Sequence, residues 1–144
     1  MSAPLKYDAQ ALAAECDRLG LRRVILFGSY ATGMPAPGPD SDVDLAVSFY
    51  RDRERTSVWD LHGSLGSVFE DQSLDIVLVS DADPLFRWEI MSDAVLLHGD
   101  ELDFLELRAF AFRDFVDSAD LRRLEATLFE KKMAIIRQRL NAAA

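Results

Sequence analysis

An alternation of acidic and apolar residues at positions 41–47 constrains the fold of this chain more than any other feature. Asp42 and Asp44 alternate with Val43 and Leu45. Because successive side chains of a strand point to opposite faces, the two acids share one face while the valine and leucine enter a core. The segment therefore predicts a strand, beginning near residue 41, that holds two carboxylates side by side.

Apolar runs and periodicities place the remaining elements around this strand. Continuous apolar runs predict three more strands, at residues 24–27, 74–79 and 95–99. Apolar residues at intervals of three and four predict helices at residues 8–19, about 55–70 and 100–140, the last with a break near Ser118. A capping Asp83 followed by Pro84 at the first helical position predicts another helix at residues 83–92. This order predicts an α/β (α+β) fold with a small mixed sheet and flanking helices.

The length of 144 residues fits a single domain. We expect a catalytic core at about residues 1–99 and a C-terminal helical segment at about residues 100–141. The apolar surface predicted for this segment exceeds what one small sheet can cover, so part of it is expected to bind a partner. Between the first two strands, residues 33–39 contain three prolines and two glycines, which predicts a loop.

Composition limits the classes of partner. A net charge of −9 repels nucleic acid, so no DNA binding is expected and a basic protein partner is favoured. The apolar runs fall short of the roughly 20 residues that cross a membrane, and the N-terminal residues do not form a secretory signal. We therefore expect a cytoplasmic protein without membrane contact. The single cysteine, Cys16, is predicted to be a small core residue of the first helix.

The acidic residues predict a metal site. Two carboxylates about 5 Å apart repel by roughly 3 kcal/mol at an effective dielectric of about 20, and a hard cation such as Mg²⁺ or Mn²⁺ relieves that repulsion. Asp75 lies in an otherwise apolar strand, where a buried carboxylate needs a partner. If the strands of Asp44 and Asp75 are neighbours, the three acids can bind two ions, and Asp75 can accept the proton of an attacking hydroxyl.

Gly28 and Ser29 follow a buried strand at a turn. Glycine lets the backbone approach phosphate oxygens closely, and the Ser29 hydroxyl and nearby amides can donate hydrogen bonds to a triphosphate. Alone, a Gly-Ser pair is a weak signal for nucleotide binding.

The order of a strand, Gly28-Ser29, a loop, the Ser41 to Leu45 strand and the Asp75 strand resembles the DNA polymerase β-like nucleotidyltransferases. The small size resembles the minimal nucleotidyltransferases that serve as antitoxins to HEPN-domain toxins. The resemblance implies that Gly28, Ser29 and Ser41 bind the nucleotide, with ATP as substrate. It also implies that the three acids bind two Mg²⁺ ions, and that AMP is transferred to a tyrosine of a HEPN-type toxin in a hetero-oligomer.

The chain departs from the family pattern between the two motifs. The spacer of 12 residues from Tyr30 to Ser41 is about two residues longer than the usual one, and Tyr30 and Thr32 stand where basic residues are common. Two alternative functions stay open: nucleotidyl transfer to a small molecule such as an antibiotic, and a non-catalytic antitoxin that acts by binding alone.

Other polar residues are interpreted as structural or solvated. Arg55 and His62 are seven residues apart on one predicted helix face, a spacing that favours coincidence over a nuclease site. Arg22, Arg23 and Arg87 are expected to be solvated charges.

Overall fold

The computed structural model describes residues 5–143, which form a four-stranded mixed sheet with helices against both faces. The strands are β1 (Leu21–Phe27), β2 (Val43–Phe49), β3 (Leu74–Leu78) and β4 (Val95–His98). The helices are α1 (Ala9–Leu19), α2 (Ser29–Thr32), α3 (Val58–Gly66), α4 (Pro84–Ser92), α5 (Glu101–Asp117) and α6 (Ala119–Ala142). The α/β fold with a small mixed sheet, predicted from the sequence, is confirmed.

The strands lie in the order β3-β2-β1-β4. β1 pairs antiparallel with β2 and with β4, whereas β2 and β3 are parallel. The parallel pair is joined through α3, as a parallel connection requires a crossover. β3 and β4 are therefore the edge strands, and β1 and β2 are central.

Each face of the sheet has its own core, because alternate residues of the central strands point to opposite sides. Val43, Leu45 and Val47 pack in the core beneath α1 and α3. Ala46 packs in the other core, with Ile25 of β1 and with the side chains that α4 and α5 contribute: Ile90, Met91, Phe104 and Ala111. The even-numbered residues of β2 therefore belong to the face that carries α4 and α5.

Most predicted element boundaries lie within three residues of the observed ones. Gly20 ends α1 with a φ of 74°, as its place after the apolar stripe predicted. β1 begins at Leu21 rather than Val24, because Arg22 and Arg23 interrupt the apolar run without interrupting the strand. The helix predicted over about 55–70 is shorter, since Ser57 caps α3 by accepting a hydrogen bond from the Asp60 amide at 3.1 Å.

The long C-terminal helical region breaks at Ser118, as predicted, and divides into α5 and α6. None of the described side chains of α6 is buried, and α5 buries only Phe104 and Ala111. Within residues 5–143, no helix combines the length and apolar character needed to cross a membrane.

Candidate active site

Three strands bring Phe27, Asp44 and Asp75 into one row across the sheet. Phe27 of β1 is paired with Asp44 of β2, and Asp44 is paired with Asp75 of β3. Paired residues of neighbouring strands project their side chains from the same face. Asp44 and Asp75 therefore lie side by side on the face that carries α4 and α5, and Asp42 precedes β2 by one residue.

Gly28 lies directly beneath the Asp44 carboxylate. Gly28 has a φ of 73°, and a Cβ added to it would collide with Oδ2 of Asp44 and lie 2.9 Å from its Cγ. Glycine is therefore required here both for its backbone conformation and for the space that Asp44 fills. The sequence predicted a turn at Gly28, but the contact between the two motifs is visible only in the fold.

Ser29 begins α2, a single turn that follows Gly28. The amides of Ala31 and Thr32 both donate to the Gly28 carbonyl at 3.1 Å, and the Gly33 amide donates to the Ser29 carbonyl at 2.7 Å. These bonds fix the backbone immediately after Gly28. The Gly-Ser pair and Asp44 are thus parts of one rigid corner of the sheet.

Ser41 organises the loop that leads to the acids. Its Oγ accepts a hydrogen bond from the Gly38 amide at 2.8 Å, and its own amide donates to the Gly38 carbonyl at 3.1 Å. Residues 33–39 form neither helix nor strand, as their proline content predicted. Ser41 therefore closes a turn next to Asp42, and its hydroxyl oxygen serves as an acceptor within the loop.

The three acids interact electrostatically. Burial raises the pKa of Asp44 above its usual value, and the neighbouring carboxylates of Asp75 and Asp42 raise it further. The ionised form of Asp44 is therefore disfavoured in the absence of a cation.

Asp75 corrects one expectation from the sequence. It was expected to be buried in its apolar strand, but it is exposed, because β3 is an edge strand and Asp75 lies at the open end of the sheet. The desolvation argument for a bound partner therefore does not apply to Asp75. Its pairing with Asp44 is what associates it with the other acids.

The acids fit a divalent cation in donor chemistry. Carboxylate oxygens are the ligands that Mg²⁺ prefers, and a cation beside Asp44 would remove the repulsion that raises its pKa. Among residues 5–143, no three His, Cys, Asp or Glu side chains are arranged to hold a metal ion. Asp42 and Asp75 are exposed, so both side chains are free to rotate toward Asp44.

A pocket of about 270 Å³ opens beside Gly28 and Ser29. Phe27 and Phe86 contribute to its wall, and their rings meet edge to face with centroids 6.3 Å apart. Neither aromatic residue was singled out in the sequence, although Phe27 directly precedes the Gly-Ser pair. The pocket provides an apolar surface next to the proposed phosphate-binding corner.

The expectation that Arg22, Arg23 and Arg87 are solvated charges is wrong. Arg22 and Arg23 donate to the two carboxylate oxygens of Asp103 at 2.6 and 3.0 Å. Arg87 donates to Asp114 at 3.1 Å and to backbone carbonyls after β3. The partners of Arg22 and Arg23 lie about 80 positions away along the chain, so no local pattern predicts these pairs.

Solved structures with the same fold come from toxin–antitoxin complexes. A chain of a toxin–antitoxin crystal structure with AMP-PNP is 19% identical, with a TM-score of 0.67, over 85% of this chain and 98% of that one. A chain from the complex of a tri-AMPylated Shewanella oneidensis HEPN toxin with an MNT antitoxin is 18% identical, with a TM-score of 0.61, over 84% and 95%. A chain of an MntA–HepT complex is 17% identical, with a TM-score of 0.61, over 84% and 96%.

Sequence comparison gives an independent result. No curated protein matches this sequence significantly. The family model described as polymerase beta nucleotidyltransferase matches residues 13–102, which is more than half of the chain and includes Gly28, Ser29, Asp42, Asp44 and Asp75. Family and fold agree, and this chain belongs to the polymerase beta nucleotidyltransferases.

Proposed function

We propose that this protein transfers AMP from ATP to a hydroxyl group with release of pyrophosphate, using Mg²⁺, and that the acceptor is a tyrosine of a HEPN-type toxin. One observation carries the proposal: Asp44 lies between Gly28 and Asp75. Its carboxylate fills the space next to the Gly28 Cα, and its backbone is paired with that of Asp75 in the sheet. Phosphate-binding backbone and acidic side chains thereby meet at one corner of the sheet.

Each residue has a distinct part in this proposal. Asp42, Asp44 and Asp75 would hold Mg²⁺, which supplies charge neutralisation for the attacking and leaving oxygens when bound. Gly28 and the amides of Ser29 and Tyr30, at the start of α2, bind the β- and γ-phosphates, with the Ser29 hydroxyl as a further donor. Asp75 accepts the proton of the attacking hydroxyl, and its exposure leaves it accessible to an acceptor from outside.

Ser41 is proposed to act through the loop as well as on the nucleotide. Its hydrogen bonds with Gly38 hold the turn that precedes Asp42. The Ser41 Oγ accepts from the Gly38 amide, so its own O–H remains free to donate to a phosphate oxygen. We therefore propose that Ser41 donates to a phosphate oxygen while it holds the turn between Gly38 and Ser41.

The exposed apolar residues of the C-terminal helices support the proposal that the partner is a protein. α6 extends over 24 residues without burying a side chain, and large apolar residues on it stay exposed, including Leu124 (54%), Leu128 (54%) and Phe129 (64%). An apolar surface of this extent is typical of a protein interface rather than of an isolated helix. The similar solved structures are toxin–antitoxin complexes, one containing a tri-AMPylated HEPN toxin, and this favours a HEPN-type toxin as the partner.

The proposal is tested by incubating the protein with Mg²⁺, labelled ATP and a candidate HEPN-type toxin. We expect label on the toxin and expect it to disappear when the acceptor tyrosine is changed to phenylalanine. Asp42→Asn and Asp44→Asn should each abolish transfer. Asp40→Asn is the matched control, because Asp40 is an exposed acid of the same loop outside the proposed site.

The two alternative functions predict other outcomes. If the toxin is neutralised by the Asp42→Asn and Asp44→Asn variants and no label is transferred, the protein acts by binding alone. If label appears on a hydroxylated small molecule and never on a protein, the acceptor class proposed here is wrong.

A further inference from the structure

A second pocket lies at the end of the sheet opposite Asp44. It has a volume of about 500 Å³, and the end of β2 (Val47–Phe49), the segment after it and the start of β1 form much of its wall. α4 and α5 contribute Arg87, Leu107 and Phe110. Asp44 and Ser48 are four residues apart on β2, so about 13 Å of strand separates the acids from this pocket.

The charge of this pocket opposes that of the whole protein. Six arginines line it, and the described lining residues include no aspartate or glutamate; the arginines are Arg22, Arg23, Arg51, Arg53, Arg55 and Arg87. The protein as a whole has a net charge of −9. The cluster therefore concentrates more than a third of the 16 basic residues at one site.

Three of the arginines are fixed by carboxylates behind the pocket wall. Arg22 and Arg23 share the single carboxylate of Asp103, and Arg87 is paired with Asp114. Two acids thus balance three guanidinium groups. Each guanidinium has five N–H donors, so these pairs leave further donors available.

The other three arginines alternate with Asp52 and Glu54 on the segment that joins β2 to α3, and neither acid forms an ion pair with a residue of the described part of the chain. Arg55 is 3.8 Å from Asp81, with both side chains more than half exposed. Arg53 donates only to backbone carbonyls at the end of α1, at 3.2 and 3.4 Å. Arg51 makes no ion pair with any residue of the described part of the chain. These three groups are available to an anion.

The shape and lining of the pocket indicate which anion. Arginine matches phosphate oxygens through paired N–H donors, and a volume of about 500 Å³ is in the usual range for small-molecule sites. Tyr50 and Phe110 are about half exposed at the rim, and the Arg87 guanidinium lies 5.8 Å from the Phe110 ring centroid. Exposed rings next to arginines are suited to stacking with a base. The acidic surface elsewhere disfavours a long nucleic acid.

We propose that this pocket is a second nucleotide site, separate from the acids. Arg51, Arg53 and Arg55 bind the phosphates, and Tyr50 and Phe110 provide the surface for the base. The site needs no divalent cation, because arginine supplies the positive charge. The proposal does not depend on the transfer activity of the Asp44 corner.

Calorimetric titration with ADP in EDTA tests this site directly. The variant is R51E/R55E, which reverses two exposed charges of the pocket. The matched control is R137E/R139E, which makes the same change of net charge on the exposed surface of α6. Thermal melting of both variants verifies that they are folded. A D42N/D44N variant removes the acidic site while leaving the arginines intact.

We expect ADP to bind the wild-type protein, R137E/R139E and D42N/D44N with similar affinity, and R51E/R55E at least tenfold more weakly. Pyrophosphate should bind several-fold more weakly than ADP, because it lacks the base. The proposal is overturned by absence of ADP binding, by equal weakening in both arginine variants, or by pyrophosphate binding as tightly as ADP. Loss of ADP binding in D42N/D44N alone would assign the nucleotide to the acids and also overturn it.

Discussion

Asp44 occupies the space that any side chain on Gly28 would need, so the proposed phosphate-binding motif and the acidic motif are packed against each other. Gly28→Ala is therefore expected to displace the Asp44 carboxylate and abolish nucleotidyl transfer. It should also destabilise the fold by about 1–3 kcal/mol, because a φ of 73° with a ψ of −155° is a backbone conformation that essentially only glycine adopts. Transfer assays and thermal melting measure the two effects.

Gly63→Ala is the matched control for that substitution. Gly63 lies within α3, and a Cβ added there meets nothing within 4 Å. Alanine should stabilise the helix by about 0.5–1 kcal/mol and leave transfer unchanged. Normal transfer by Gly28→Ala would show that the contact with Asp44 does not matter for activity.

Asp44→Asn is expected to separate stability from activity. The pKa of Asp44 is raised by burial and by its acidic neighbours, so ionisation of Asp44 disfavours the folded state. The comparison is made in EDTA, so that no cation screens Asp44. As pH rises from the unfolded-state pKa of Asp44 through its raised folded-state pKa, the wild-type protein should lose stability relative to the variant. At lower pH the two proteins should melt alike. Transfer should fall by at least about a hundredfold.

Melting curves across pH check this sign. The control is Asp52→Asn, which removes an exposed acid away from the cluster and should not produce the same divergence. A variant that becomes less stable than the wild-type protein as pH rises would contradict the electrostatic account of Asp44.

Asp103→Asn, unlike Asp44→Asn, is expected to make the protein less stable than the wild type at neutral pH. The hydrogen bond from Arg23, with the charges of Arg23 and Arg22, holds the pKa of Asp103 below its usual value against a smaller effect of burial. This pair contributes stability above the unfolded-state pKa and loses it as pH falls through the lowered folded-state pKa. At neutral pH the variant should lose stability on the order of 1 kcal/mol.

Glu101→Gln provides the comparison for Asp103→Asn, since Glu101 is an exposed acid in the same first turn of α5. Its effect on melting should be small at every pH. If the deficit of Asp103→Asn persists unchanged in acid, the ion pair is not its cause.

Cys16 is expected to report on unfolding. Its side chain is fully buried, and burial, with the charges of Asp17 and Glu15, raises the thiol pKa to about 12. Iodoacetamide should therefore leave native protein unmodified at mildly alkaline pH, because the thiolate is the reactive form. Mass spectrometry should detect modification only as denaturant unfolds the chain. Rapid native modification would show that the α1 core opens readily.

Leu128→Asp is expected to disrupt the proposed partner interface. Leu128 is 54% exposed on α6, so the substitution should leave the melting temperature nearly unchanged while reducing toxin binding at least tenfold. Thr127→Asp is the matched control, because it introduces the same charge on an adjacent exposed residue outside the apolar stripe. Equal binding by both variants would place the interface elsewhere.

Local patterns predicted the elements well, and they failed where the result depends on strand order. The alternation around Asp44 and the cap at Asp83 were sufficient to locate β2 and α4. The exposure of Asp75 was not predictable, because an apolar strand has the same sequence pattern in the centre and at the edge of a sheet. The arginine pocket was equally hidden, since it assembles side chains from β1, α4 and the segment after β2.

The edge position of β3 also bears on the size of the acceptor. A catalytic acid enclosed by strands on both sides would be accessible chiefly to small molecules, which can enter a cleft. Asp75 instead belongs to the outermost strand, and no described strand lies beyond it to block a large acceptor molecule. A tyrosine on the surface of a folded protein could therefore reach Asp75 without local unfolding of that protein. The edge position of Asp75 is thus compatible with the macromolecular acceptor proposed above.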